Sequence, residues 1–357
     1  MGKDHTVKAF VIMSNQGKSN KHGRIDFHAA VRHRFPELCA IGAVAMQLFS
    51  HFHIANGKRP DFSPDFESPQ ASDIGFRSWY QWLLFPGSKS HTEEMSPQAH
   101  RARVNGFKLR YDIFCQKVTH TGRVRGAEDG IEFGATVEGV KALGLWSQGG
   151  SFRNAYNRTL PIDAMLALAY FNGERKDNYF IPRDFLEPPA ALLSKIFPFI
   201  EEEDTEYKSR LKRYGSIAKD ESLVYFLDVL RLFRRILLQD VAAIAQKQPD
   251  LSLLRYSPFN TPAFHAYAST TNSIIEKAEA QARENRQNLP EQLTQTFAAH
   301  LSAVHLQQQL QQNQLEELRD AILGIATPGA FSAKKRKALS EFEDGKSPPH
   351  LSTRRSI

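Results

Sequence analysis

Apolar and polar positions fall into blocks along the first third of the chain. Residues 7–13 (VKAFVIM) are a short β-prone apolar run, 14–24 (SNQGKSNKHGR) are polar, and 25–31 (IDFHAAV) are apolar again. Two strand-like runs around a Gly/Asn-rich turn predict a β-hairpin, with Lys18, Lys21 and Arg24 at its tip. Residues 37–54 have helical length and an apolar face. Residues 56–77 are rich in Pro, Asp and Ser and read as a loop. SWYQWLLF (78–85) is an aromatic-rich strand or short buried segment. A helix over 96–114 starts with Ser96 as cap and Pro97 at its first position. Residues 120–145 are helical in two pieces broken near Gly134, and another helix follows Pro161.

The pattern changes near residue 186. Two short helices bounded by prolines come first. Residues 222–246 then carry apolar side chains at helical spacing over a long run, as in a core or interface helix. Residues 268–323 are rich in Gln, Glu, Leu and Ala and helical, with an interruption at Pro290. An irregular apolar stripe from Leu301 to Ile322 is weak evidence for a coiled coil. The expected organisation is a domain over 1–205, a helical region over 206–325 that packs on it or mediates self-association, and a disordered basic tail over 326–357.

Composition narrows the function classes. The chain has 357 residues and a net charge of +7. Residues 1–130 hold 18 Lys/Arg against 12 Asp/Glu, and 331–357 hold 7 against 3. This basic excess fits either a polyanion such as nucleic acid or a solvated basic surface. Cys39 and Cys115 are too few for a disulfide framework or a zinc finger. No apolar run is long enough for a membrane span, and no secretory signal is visible. No nucleotide-binding glycine loop or nucleophile elbow is present. No cofactor or metal is therefore expected. Lys334-Lys335-Arg336-Lys337 suits a nuclear-import signal or a solvated tail.

The chemistry-bearing segment is 119–161. It holds His120-x-x-Arg123, then Trp146, then Tyr156. Read singly, each has a plainer use: Trp146 and Tyr156 as packing residues, His120 at a turn. Arg101, Arg103 and Arg110 lie on the expected helix 96–114, with Arg103 and Arg110 on one face. That face follows a phosphate backbone or is simply solvated. Arg125 adds to the patch, with Glu128 and Asp129 partly offsetting it.

The order hairpin Lys18, His120-x-x-Arg123, Trp146, Tyr156 resembles the catalytic domain of tyrosine recombinases. GKSNKHGR (17–24), RHRFPELCAIGAVAMQLF (32–49), RPDF (59–62), SWYQWLLF (78–85), THTGR (119–123), GVKALGLWSQGG (139–150) and AYNRTLPIDAMLALAYF (155–171) narrow it. Together they are similar to the fungal Crypton-type recombinase-derived domain, over about residues 7–205. The same domain serves as the DNA-binding middle domain of a fungal centromere-binding inner-kinetochore subunit. The resemblance implies a mainly α domain with a small antiparallel sheet, double-stranded DNA as partner, and nuclear residence. It implies Tyr156 as nucleophile on a phosphodiester, Lys18 as donor to the leaving oxygen, and His120, Arg123 and Trp146 around the phosphate. Lys21, Arg24, Arg101, Arg103, Arg110 and Arg125 would contact DNA.

Three departures set the functional expectation. Recombinases use a further arginine ahead of the hairpin, and no Arg precedes Arg24. Tyr156 follows Trp146 by 10 residues, one more than is usual in that family. The N-terminal half that closes a clamp on DNA is expected to be missing. Losing one phosphate-binding arginine costs about 3 kcal/mol of transition-state stabilisation. The expectation is therefore DNA binding by a catalytically degenerate domain. The alternatives are an active Crypton-type recombinase and a helical interaction scaffold.

Overall fold

The computed structural model describes residues 9–14, 25–55, 57–115, 118–146, 160–175 and 178–284, with a few helical positions between 287 and 311. The architecture is mainly helical with a small two-stranded antiparallel sheet, β1 (Ala9–Ser14) and β2 (Asp26–Val31). Among the described residues the helices include α1 (Ala40–Phe49), α2 (Pro97–Arg110), α3 (Thr121–Glu132), α4 (Val137–Leu143), α5 (Ile162–Leu168), α6 (Ala190–Leu193), α7 (Phe199–Tyr214), α8 (Glu221–Ala245) and α9 (Pro262–Ser269), and residues 271–284 are helical as well. The chain divides into a unit of residues 1–280 and a unit of residues 281–357. The boundary expected after residue 205 falls inside α7. In the second unit, Leu301 and Val304 are helical and exposed, and the rest of the expected apolar stripe lies outside the described residues.

Helix α8 is the spine of the first unit. Leu223, Leu227, Leu230 and Phe233 form a single buried stripe, and from Ile236 to Ile244 every residue is buried. A helix buried on all sides needs partners on all sides. Helix α1 supplies Ile41, Ala45 and Phe49 at spacings of four, which places them on one face. Phe49 meets the Phe259 ring edge-on at 5.1 Å.

The hairpin lies between α8 and α5, and its period of two explains how. Ala9 pairs with Val31, and Phe10 with Ala30. Ala9, Ala29 and Val31 pack with Met165 and Leu166 of α5 and with Phe171 just after it. Phe10 and Ala30 face the other core, where the Phe10 ring stands 5.3 Å from Phe233.

The polar residues on the all-buried half of α8 find charged partners. The Asp240 carboxylate accepts from Arg32, which directly follows β2, and from Arg183 Nε at 2.6 Å. Arg32 also pairs with Asp184 and donates to Gln239 Oε1 at 2.7 Å. Arg183 donates to the His33 and Arg34 carbonyls at 2.6 and 3.0 Å. Burial alone would lower the Arg32 pKa, but the Asp240 and Asp184 charges outweigh it and raise it. Gly42 of α1 lies against the Asp240 carboxylate, where any Cβ would collide with Oδ2.

Helix α3 ends near Gly134, which takes a positive φ of 85°, and α4 follows, as the break at that glycine predicts. Thr136 caps α4, and its hydroxyl and N–H both donate to Asp163 on α5, at 2.6 and 2.9 Å. Burial would raise the Asp163 pKa, but these hydrogen bonds hold the carboxyl below its usual range. The segment SWYQWLLF is not a strand or a buried run. It opens with a short 3-10 turn, Ser78–Gln81, and leaves Tyr80, Leu83 and Phe85 exposed. Trp79 packs against Phe62 and Phe226, at 5.3 and 5.5 Å. Aromatic density without a period marks a local cluster around one anchor rather than a buried element.

Two outcomes follow. Asp240→Ala leaves two buried guanidinium groups without their shared carboxylate, and should lower the unfolding free energy in urea by about 3–5 kcal/mol. Because the Asp163 pKa is lowered in the fold, its contribution is present above the unfolded value of about 3.9 and is lost as pH falls below it. Subtracting the stability–pH curve of Asp163→Asn from that of the parent chain should therefore isolate a contribution that declines only in this acid range.

Candidate nucleic-acid interface

His120 is the residue before α3, and its carbonyl accepts the Arg123 and Val124 N–H groups, each at 3.1 Å. The two members of the His-x-x-Arg pair thus share the first turn of one helix, and both side chains are exposed. Arg123 reaches across to the end of α4. Its Nη2 donates to the Gly144 carbonyl at 2.8 Å, and its guanidinium carbon lies 5.0 Å from the centre of the Trp146 ring. A cation at a helix C-terminus complements the helix dipole, and the indole face adds a cation–π attraction.

The end of α4 presents Trp146 for this contact. The Trp146 N–H bonds to the Lys141 carbonyl at 3.0 Å and the Leu145 N–H to the Ala142 carbonyl at 3.2 Å. This is a Schellman ending, with Leu145 in the left-handed region at φ 52°. A Cβ at Gly144 would stand 2.7 Å from the Trp146 ring, so glycine is what lets the indole fold back over the helix end.

Between these parts opens a cleft of about 660 Å³, lined by His28, Arg123, Gly126, Gly144, Trp146 and Leu168 among others. Its walls come from β2, α3, α4 and α5. His28 is the residue that sequence reasoning missed. A single histidine on a strand carries no signal of its own. Here β2 carries it past the core to the cleft, with Nε2 3.0 Å from Ser14 Oγ. Arg123 and His28 are the titratable side chains of the lining among the described residues.

The other expected residues divide clearly. Arg123 and Trp146 come together, while His120, in the same first turn of α3, does not line the cleft. Arg125 is exposed but paired with Asp129 at 2.7 Å, so its charge is partly offset. Arg101, Arg103 and Arg110 are exposed on α2 and form no ion pair with a described residue. Lys108 is engaged instead. Its Nζ donates to the Val118 carbonyl at 2.7 Å and to Cys115 Sγ, tying the end of α2 to the lead-in of α3. This ammonium holds the Cys115 thiol pKa below its usual value. Lys18, Lys21, Arg24 and Tyr156 lie outside the described residues. Among the described residues no group of His, Cys, Asp and Glu could hold a metal ion, and no helix is long and apolar enough to cross a membrane.

Comparison with known proteins places this geometry in context. No curated protein matches the sequence at a significant level. The domain family described as the centromere DNA-binding protein complex CBF3 subunit, domain 2, matches residues 2–265, which take in the hairpin, the cleft and all of α8. With most of its length matched, the chain belongs to the family of centromere DNA-binding CBF3 subunits through their second domain.

Proposed function

We propose that this protein binds DNA phosphates at the Arg123–Trp146 cleft, on a domain of recombinase descent that no longer cuts DNA. The observation that carries the reading is the fixed Arg123 guanidinium at the wall of an open cleft. One of its N–H groups is held by the Gly144 carbonyl and its face by Trp146, which orients the remaining donors. A guanidinium has five N–H donors, so enough remain for a bidentate grip on a phosphate. Orienting the group in advance reduces the entropy lost on binding.

His120 serves a neighbouring phosphate from the same turn of α3. Arg103 and Arg110 extend the track along α2, with Arg101 beside them. Lys18, Lys21 and Arg24 add cations from the hairpin, and Arg125 contributes less because Asp129 competes for it. In the order of motifs along the sequence, Tyr156 matches the recombinase nucleophile. Cleavage would need that hydroxyl in line with a phosphate clamped by two arginines. Arg123 is the single guanidinium lining the cleft among the described residues, and this supports binding without strand transfer.

The family's centromeric association supports a reading in which the protein acts on nuclear DNA as a subunit of a complex. Lys334-Lys335-Arg336-Lys337 would direct import. The helical residues beyond 280 would provide contacts to other subunits or to a second copy.

In a salt titration of binding to mixed-sequence duplex, log K should fall linearly with log salt. Arg123→Ala should weaken binding and reduce the magnitude of that slope by about 1, the signature of one lost phosphate contact. His120→Ala should act in the same direction, and neither variant should acquire a sequence preference. Equal slopes and affinities for parent and Arg123→Ala would remove the cleft from the interface. A covalent DNA adduct on a denaturing gel that Tyr156→Phe abolishes would overturn the claim of lost cleavage.

A further inference from the structure

Helix α2 buries none of its residues. Such a helix gains little stability from packing. From Ser96 to Tyr111 it carries Arg101, Arg103, Lys108 and Arg110 and no acidic residue. It also exposes aromatic rings that a solvated helix has no reason to display. Phe107 is 58% exposed, Tyr111 60%, and Phe114, just past the helix, 84%.

The spacing matters more than the count. Arg103, Phe107, Arg110 and Tyr111 fall at i, i+4, i+7 and i+8, which is one face of a helix. Cations and rings therefore alternate along a single stripe. The Phe107 and Tyr111 rings support each other, with centroids 4.9 Å apart. Beyond Tyr111 the chain turns sharply at Asp112, which takes a positive φ of 53°, and the Ile113 N–H returns to the Lys108 carbonyl at 2.9 Å. Lys108 in turn anchors this end of α2 to Val118, just ahead of His120.

We infer that this stripe is a stacking platform for unpaired DNA bases, in which Phe107 and Tyr111 receive base faces while Arg103 and Arg110 hold the adjoining phosphates. The inference rests on the proposed DNA binding and adds to it the form of DNA preferred. Charge complementarity selects the occupant, since a stripe whose charged side chains are both cationic suits a polyanion. The rings select the form, because an intact duplex hides its base faces and leaves two exposed aromatics nothing to stack on. Every base has a π-face, so the platform tolerates any sequence.

The test uses the full chain and two DNAs of one sequence, one fully paired and one with a short central bubble carrying 2-aminopurine. The parent protein should bind the bubbled DNA about tenfold tighter, the size expected for gaining one stacked base. Binding should also quench the 2-aminopurine fluorescence. Phe107→Ala/Tyr111→Ala should lose both the preference and the quenching and keep the salt dependence on paired duplex. Phe107→Leu/Tyr111→Leu, which retains apolar bulk without a ring face, should behave the same way. Equal affinity for the two DNAs with no quenching would overturn the platform and leave phosphate binding standing. No binding to either DNA would overturn both. If the aromatic variants changed only the sedimentation of the free protein, the rings would be covered by a second copy and the platform would be wrong.

Discussion

The carboxylate of Asp240 sits where four parts of the chain meet. Arg32 brings the end of β2, Arg183 brings the turn Pro182–Phe185, Asp240 itself comes from α8, and Gly42 of α1 closes against it. Charges are rarely buried this completely, because removal from water is costly unless each is paired and hydrogen-bonded. Here Arg183 also takes the carbonyls of His33 and Arg34, so the network holds the backbone directly after the hairpin. The next hydrogen bond, from Arg34 N–H to the Ala169 carbonyl at 2.9 Å, ties that backbone to the end of α5. The position of β2 against α5 therefore depends on a salt bridge at the centre of the α8 core.

The cleft inherits its geometry from this arrangement. His28 lies on β2 and Leu168 on α5, so their separation is set by the Arg32–Asp240 anchor and by the packing of Val31 on Met165 and Leu166. The opposite wall is set locally. The Thr136 cap joins α4 to Asp163, the Schellman ending turns Trp146 back, and Arg123 reaches over from α3. A cationic group oriented by a carbonyl and an indole face suits phosphate binding because less is left to order on contact. Helix α2 is the opposite case. It buries none of its residues and presents Arg103, Phe107, Arg110 and Tyr111 to solvent.

Much of this architecture was legible because it is local. The two strands show as apolar runs around a polar turn, α8 shows as an unbroken helical period, and Ser96 and Pro97 mark the start of α2, where Ser96 Oγ accepts the Ala99 N–H at 3.1 Å. Arg123 and Trp146 were legible through an ordered series of motifs rather than through any property of either residue. The offset of Arg125 by its acidic neighbours was also visible, since it acts between adjacent turns of one helix. What was not legible depends on distance along the chain. Nothing in the sequence pairs Arg32 with Asp240, 208 residues away, and nothing distinguishes His28 from any other strand histidine. In the segment 78–85 apolar content does not amount to burial, because the fold anchors it by Trp79 and leaves Tyr80, Leu83 and Phe85 exposed.

DNA bound against the Arg123 cleft would shield the amides of the cleft walls. Hydrogen–deuterium exchange of the full chain, with and without a saturating duplex, addresses it most directly. Exchange should slow at the start of α3, around residues 120–124, and at the end of α4, around 144–146, with the amides of α8 unchanged. Saturation with DNA that leaves both of these segments at their free rates would contradict binding at the cleft.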